Sequence, residues 1–358
     1  MPGILNILLG LLGLLTLGGL SSGGDGDTGD IGGSGGSTEP ETGGGEGGGG
    51  ISPDPDAGGG SGPDTLPASA YDIGWGGLSV EEQLMVELIN QARMDPLGEI
   101  ARSGNDLATG VSNTAVQPLA VHHLLAAAAR GHSEDMEARD FFAHTNPDGD
   151  GPGARASDEG YSGGVWENIG AKFTSASSIS DLDAWVRDHH ENLWQSDGHQ
   201  QNLMRDFHDY VGLGYADGDY STSGGTYWRT ATFVTEKFGN AGDQSYLTGV
   251  VMDDHDNDDF YDMDEGQGDV RVTAWDGDGN TFATSTWGAG GYSLALPDGT
   301  YTVRFEGGDL AGVFETSVTI AGENEKLDVH ENDLGIPMLM VDESAIVEDE
   351  EEPLVEIF

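Results

Sequence analysis

The chain has 358 residues, enough for two ordinary domains, with 64 Asp plus Glu against 13 Lys plus Arg and a formal net charge of −51 at pH 7. Nucleic acid and anionic membrane surfaces are therefore poor partners, because both are held through clustered Lys and Arg, and none precedes Arg93. The absence of cysteine excludes disulfides, thiolate metal sites and a thiol nucleophile, while so large an acid excess suits an exported protein in a saline or calcium-containing medium.

Ile4 to Leu20 is almost wholly apolar, so residues 1–22 read as a signal peptide or short membrane anchor, although the usual positive n-region is missing. This leader is the part expected to contact a membrane. Ser21 to Asp64 holds 19 glycines in 44 residues and cannot bury enough apolar surface to offset its ordering entropy, which makes residues 23–65 a disordered linker. Helical periodicity begins at Ser79, where Ser79 and Glu82 form a capping-box pattern ahead of Leu84, Leu88, Ile89 and Ala92. A second helix is predicted over Leu119–Met136, followed by loop chemistry at 140–153, and a third from about Ser180 through Leu182, Trp185, Val186, His189 and Leu193. Val211–Tyr215 and Tyr227–Phe233 read as strands, so helices and strands mix in one unit over 70–243.

Past Ser245 the pattern changes to short strands at Leu247–Met252, Val270–Trp275, Tyr292–Leu296, Tyr301–Phe305 and Phe314–Ile320, separated by turn signals. That spacing predicts a small all-β sandwich over 246–332. Residues 333–358 form an acidic tail with the run Glu348 to Glu352, expected to remain solvated and disordered.

Several short motifs share the middle of the chain: Glu87 to Arg93 (ELINQAR), His132-Ser133-Glu134-Asp135-Met136, Phe141 to Thr145 (FFAHT), Trp166-Glu167-Asn168-Ile169-Gly170, Ser196 to Leu203 (SDGHQQNL) and Val211 to Gly214 (VGLG). In this order they resemble the CAP superfamily, the SCP-like domain shared by cysteine-rich secretory proteins, antigen 5 and plant pathogenesis-related proteins, in its cysteine-free bacterial form. The resemblance covers about residues 78–239 and implies a three-layer α-β-α sandwich, an α+β fold. It also implies a cleft carrying His144, Glu167 and His199, with Asp188, three residues after Trp185, at a fourth acidic position and Glu191 as a weaker candidate there.

Two imidazoles and a carboxylate suit one Zn²⁺ or another divalent cation, with a water completing an open site; that water is a candidate nucleophile, with Glu167 as ligand or general base. Without the resemblance, the same three side chains read more readily as polar core residues tying loops together than as a metal site. His189-His190 and His122-His123 read as packing residues, because adjacent side chains on a helix diverge by about 100°. Trp166, Trp185 and Trp194 read as core and cleft walls. No G-x-S-x-G supports Ser133 or Ser196 as a nucleophile.

Asp254 to Glu265 places Asp254, Asp256, Asp258, Asp262 and Glu265 at positions 1, 3, 5, 9 and 12, with the Phe260 carbonyl at position 7, the ligand spacing of an EF-hand Ca²⁺ loop. Position 6 is Asp259 where a glycine permits the sharp turn, and no amphipathic helices flank the loop, so a calcium loop between strands is expected in place of a helical hand. The run from Gly290 to Val303 resembles the SdrD B-like and Cna B-type sandwiches of bacterial surface proteins. The expectation is an extracellular or cell-surface binding module whose cleft takes a divalent metal and a lipid, sterol or other envelope-derived ligand. A metal-dependent hydrolase using the same cleft, and an adhesion protein with a structural CAP domain, are the alternatives.

Overall fold

A computed structural model describes residues 76–222, 224–240 and 244–331; the apolar leader, the glycine-rich linker and the acidic tail lie outside these described residues. Helix α1, Val80–Met94, starts where the sequence says. Ser79 Oγ accepts from the Glu82 amide at 3.2 Å while the Glu82 carboxylate accepts from the Ser79 amide at 2.9 Å, satisfying two end donors reciprocally. Asp95 then caps α2, Pro96–Ser103, which opens on a proline and closes at Gly104 in the left-handed region.

The apolar run from Leu119 does not enter a helix at once. Ala120–Val121 is a short strand, β1, paired in parallel with a strand ninety residues on, and helix α3 is His123–Ala138. A three-residue apolar run fits either period, and only the remote partner decides. Helix α4, Pro152–Asp158, and strand β2, Trp166–Thr174, lead to helix α5, Leu182–Trp194, capped by Asp181. Helix α6, Asp197–Leu203, carries His199. Strands β3, Tyr210–Ser221, and β4, Tyr227–Gly239, are longer than their apolar cores: β3 runs on from Tyr215 into partly exposed residues, whereas β4 continues past Phe233 through buried residues to Gly239.

These strands form one sheet in the order β1-β3-β4-β2, with α3 on one face and α1 and α5 on the other, an α-β-α sandwich. The glycines of the VGLG strand set the distance to α3. A Cβ at Gly212 would lie 2.2 Å from the Ala126 amide nitrogen, and one at Gly214 2.2 Å from the Ala129 carbonyl carbon, so the helix backbone rests directly on the strand.

The β-rich region that follows comprises β5 (Ser245–Met252), β6 (Val270–Asp276), β7 (Thr281–Ser285), β8 (Gly291–Leu296), β9 (Gly299–Gly307), β10 (Phe314–Ile320), β11 (Glu325–Lys326) and β12 (Val329–His330). One sheet runs β10-β9-β6-β7, and a second gathers β8, β11 and β12 around β5. Leu247, Val251, Tyr292 and Leu294 from the second meet Val270, Val272, Val303 and Phe305 from the first in a shared core.

The other face of β5 enters the core of the preceding sandwich: Val250 and Met252 pack in one cluster with Leu84, Leu88 and Ile89 of α1. Around this apolar contact Trp287 Nε1 donates to Gln83 Oε1 at 2.9 Å, Gln83 Nε2 donates to Glu87 Oε1 at 2.6 Å, and Lys326 Nζ pairs with Glu87 Oε2 at 2.8 Å. Burying polar groups is tolerated because each finds a partner. No helix among the described residues is long and apolar enough to cross a membrane.

Candidate functional site

Glu167 is the second residue of β2, an edge strand, and its carboxylate turns to the α3 face of the sheet. His144, in the loop after α3, reaches it with Nδ1 at 3.0 Å from Oε1. Arg155 of α4 donates from Nη2 to both oxygens at 3.1 and 2.8 Å, and Lys237 of β4 donates to Oε2 at 2.6 Å. The register explains the last contact, since Glu167 and Lys237 are directly opposed in the β2-β4 ladder. His132 of α3 completes the surround, its Nε2 4.0 Å from Oε1 and 3.1 Å from the Ala143 carbonyl.

Four donor contacts occupy essentially all the lone-pair directions of one carboxylate. Burial works to raise its pKa, but the His144 hydrogen bond and the charges of Lys237 and Arg155 outweigh it and hold Glu167 at about 2. The Lys237 side chain is wholly buried, and its remaining contact is the Pro152 carbonyl at 3.2 Å. Arg155 also donates to the His144 carbonyl at 2.9 Å, so the same guanidinium holds the histidine's backbone and the carboxylate.

His199 approaches from the other side of the strand. Asn168 Nδ2 donates to the His199 carbonyl at 3.2 Å, and Asn202 Nδ2 donates to Asn168 Oδ1 at 2.9 Å, stitching α6 to β2. Burial, together with the neighbouring His144, lowers the His199 pKa, so the ring is neutral and its nitrogen lone pair is available at neutral pH. Its buried Nδ1 has no hydrogen-bond partner within the described residues.

Asp188 stands apart. It pairs with Lys172 at 2.7 Å and is exposed. Lys172 is five residues beyond Glu167 on β2, an odd step that turns it to the opposite face, roughly 16 Å along the strand. Asp188 therefore does not complete the cleft, and Glu191 is occupied by Gln195 at 2.9 Å. His144, Glu167 and His199 do not bring three ligand atoms within 4.8 Å of one another; among the described residues only groups built on the acidic loop, one of them with His330 of β12, do so.

His189 is buried against Thr232, His190 against Glu99, and His122 stacks on His123, as packing residues do. Trp194 is buried, Trp185 donates to Thr232 at 2.8 Å, and Trp166 packs on Phe207 and His208.

Two charges that shape this site, Arg155 and Lys237, carry no motif of their own. The available signal was Lys237 itself. A lysine on the same strand face as the buried Ala231, Phe233 and Thr235 needs a buried counter-charge, and the strand pairing supplies it.

Residues 86–237 match the family model for CAP, the cysteine-rich secretory protein family. Over these residues the chain is similar to the CAP family. Among solved structures, it is similar to an extracellular protein containing a SCP domain from Bacillus anthracis str. Ames, at 21% identity, TM-score 0.29, covering 45% of this chain and 40% of that one. It is also similar to an outer surface protein from Borrelia burgdorferi, at 14% identity, TM-score 0.28, covering 45% of this chain and 92% of that one. No curated protein matches. The CAP match thus ends before the acidic loop.

In that loop Asp254, Asp256 and Glu265 bring carboxylate oxygens within 4.8 Å of one another, and so do the ligand atoms of Asp254, Asp259 and His330. Asp254 and Glu265 are buried, at 5% and 2% exposure, and neither pairs with Lys or Arg among the described residues. Burial raises the Glu265 pKa, and the Asp262 and Asp254 carboxylates add to that rise against two backbone hydrogen bonds. Asp259 makes the turn expected of glycine by taking φ +61°. Asp262 is diverted to an ion pair with Arg187 of α5, whose guanidinium also lies over the Phe260 ring at 5.1 Å, and Asp258 accepts from the Phe260 amide at 2.8 Å.

Proposed function

We propose that the protein is an extracellular binding protein whose CAP cleft holds a divalent cation through His144 and His199, and that it does not hydrolyse its ligand. The observation that carries this reading is the saturated Glu167 carboxylate. A base whose pKa is held at about 2 is almost never protonated at neutral pH and has little drive to take a proton, which argues against Glu167 as a general base. Its lone pairs are also taken, so it fits poorly as a direct metal ligand. It fits well behind one: a carboxylate accepting from Nδ1–H of His144 orients that ring and leaves Nε2 for a cation. His199 supplies the second imidazole, and zinc is the first cation to test. A lipid, sterol or other envelope-derived molecule is the ligand class proposed for the cleft, with the half-exposed Phe142 beside His144 as its apolar wall.

The extracellular placement is supported by the apolar leader, the glycine-rich linker and the acid excess, together with the secretory family matched. A second cation is proposed for the acidic loop, supported by the buried Asp254 and Glu265 carboxylates with Asp256 beside them; calcium suits an all-oxygen set. The full chain, stripped with chelator and titrated separately with Zn²⁺ and Ca²⁺, tests both sites. One zinc per chain is expected, lost in the His144→Ala/His199→Ala variant, with calcium uptake unchanged there but lost in Asp254→Ala. Wild-type zinc uptake in the double variant removes the cleft reading. Metal-dependent cleavage of a peptide or ester that the double variant abolishes replaces binding with hydrolysis.

A further inference from the structure

A hollow of about 650 Å³ opens between segment 109–117, the C-terminal end of α6 and the turn into β3, with Glu323 of the β-rich region on its rim. None of His144, Glu167 and His199 lines it. Its floor is apolar, made by Met204, Val111 and Val116, which join the main core. One wall is Phe207, 44% exposed, held edge-on by Trp166 at 5.1 Å and approached by the Arg205 guanidinium at 5.6 Å.

The rim is polar. Thr109 and Gln201 are linked through the Thr109 carbonyl, which leaves the Thr109 hydroxyl and the Gln201 amide oxygen without a hydrogen bond among the described residues. The Ser112 hydroxyl accepts from the Thr114 amide at 3.0 Å and keeps its own proton to give. Arg205 uses only Nε, toward Asn202 at 3.3 Å, and forms no ion pair among the described residues. Asp206 and Glu323 add two carboxylates to the same rim.

Apolar floor, aromatic wall and a rim of hydroxyl, amide, guanidinium and carboxylate groups match a pyranose, which has C–H faces and hydroxyl edges. The volume falls within the range of small-ligand pockets. We propose that this hollow binds a neutral oligosaccharide, one ring resting on Phe207 and its hydroxyls bridging Arg205, Gln201 and the rim carboxylates. Two carboxylates against one guanidinium leave the rim net negative, which selects neutral over acidic sugars.

The test is titration of the full chain with cellohexaose, chitohexaose and maltohexaose, with oligogalacturonate as the acidic control, followed by calorimetry. Insoluble cellulose and chitin pull-downs separate a wall polymer from a free sugar as the source. Saturable binding of one neutral hexamer is expected, weakened at least tenfold in Phe207→Ala and in Arg205→Ala and unchanged in His144→Ala/His199→Ala. Gln201→Ala, at an exposed side chain, gives a second reading should Phe207→Ala disturb the Trp166 contact, and is expected to weaken binding severalfold. Absence of binding by all three hexamers, tighter binding of the acidic control, or wild-type affinity in Arg205→Ala and Gln201→Ala would each overturn the proposal. Because the readout needs no metal, failure here leaves the cleft reading intact, and the reverse also holds.

Discussion

At Glu167 the question is what a carboxylate does when two buried cations and an imidazole share it. Its unfolded pKa is near 4.5 and its folded value about 2, so the unfolded chain binds the proton more readily. The stabilisation is whole above about pH 5 and is lost as pH falls through about 2. Glu167→Gln removes that dependence and leaves the buried Lys237 and Arg155 without their counter-charge, at a cost of about 3–5 kcal/mol at pH 7. Urea unfolding at pH 7, 5 and 3 checks both points: the variant is expected to be weaker at pH 7 and to lose less than wild type on acidification. An unchanged midpoint at pH 7 would show that the cluster is open to water. Motif matching placed Glu167, His144 and His199 in one region, yet their roles were not legible from it. Arg155 lies twelve residues from Glu167 and Lys237 seventy, and no local pattern announces that both point at one carboxylate.

At the scale of elements, the VGLG strand shows a motif whose reason is steric. Gly212 and Gly214 are two apart, so both turn to the α3 face, and the helix backbone fills the space a side chain would need. Gly214→Ala is expected to push α3 away from β3 and destabilise the protein by about 3 kcal/mol, at the upper end of overpacking costs, as measured by thermal unfolding. His132 and Ser133 ride on α3, Ser133 donating to the Gly214 carbonyl at 2.9 Å, so the same variant should also weaken zinc uptake at the adjoining cleft. Element legibility followed length and caps. The Ser79–Glu82 box and the long stripe of α5 were sufficient, whereas α4 and α6, at seven residues each, lack enough periodicity to rise above loop chemistry. Strand β1 takes its identity from β3, and strands β7, β11 and β12 are too short or too polar to read alone.

For the whole molecule, the contact between the β-rich region and α1 determines how far the α-β-α sandwich stands by itself. Leu84, Leu88 and Ile89 share their cluster with Val250, Met252 and Tyr261, and Glu87 is buried with Lys326 as its cation and Asp328 beyond it. Removing everything after residue 243 would expose those apolar side chains and return Glu87 to water without its partner. Large buried side chains contribute roughly 1.5–3 kcal/mol each, so losing cover over several approaches the whole stability of a domain. Lys326→Met tests the polar part alone. It leaves Glu87 buried without a cation, and a loss of about 3–5 kcal/mol is expected, with a single unfolding transition retained. The Lys326→Met/Glu87→Met variant, which removes both charges, should recover most of that loss. Asp328 keeps its hydrogen bond from the Val250 amide at 3.0 Å, and its other oxygen, freed of Lys326, is partly exposed to solvent. Two separate transitions in the wild-type chain, or a truncated chain that unfolds at the wild-type temperature, would show that the α-β-α sandwich is independent of the β-rich region despite the shared core.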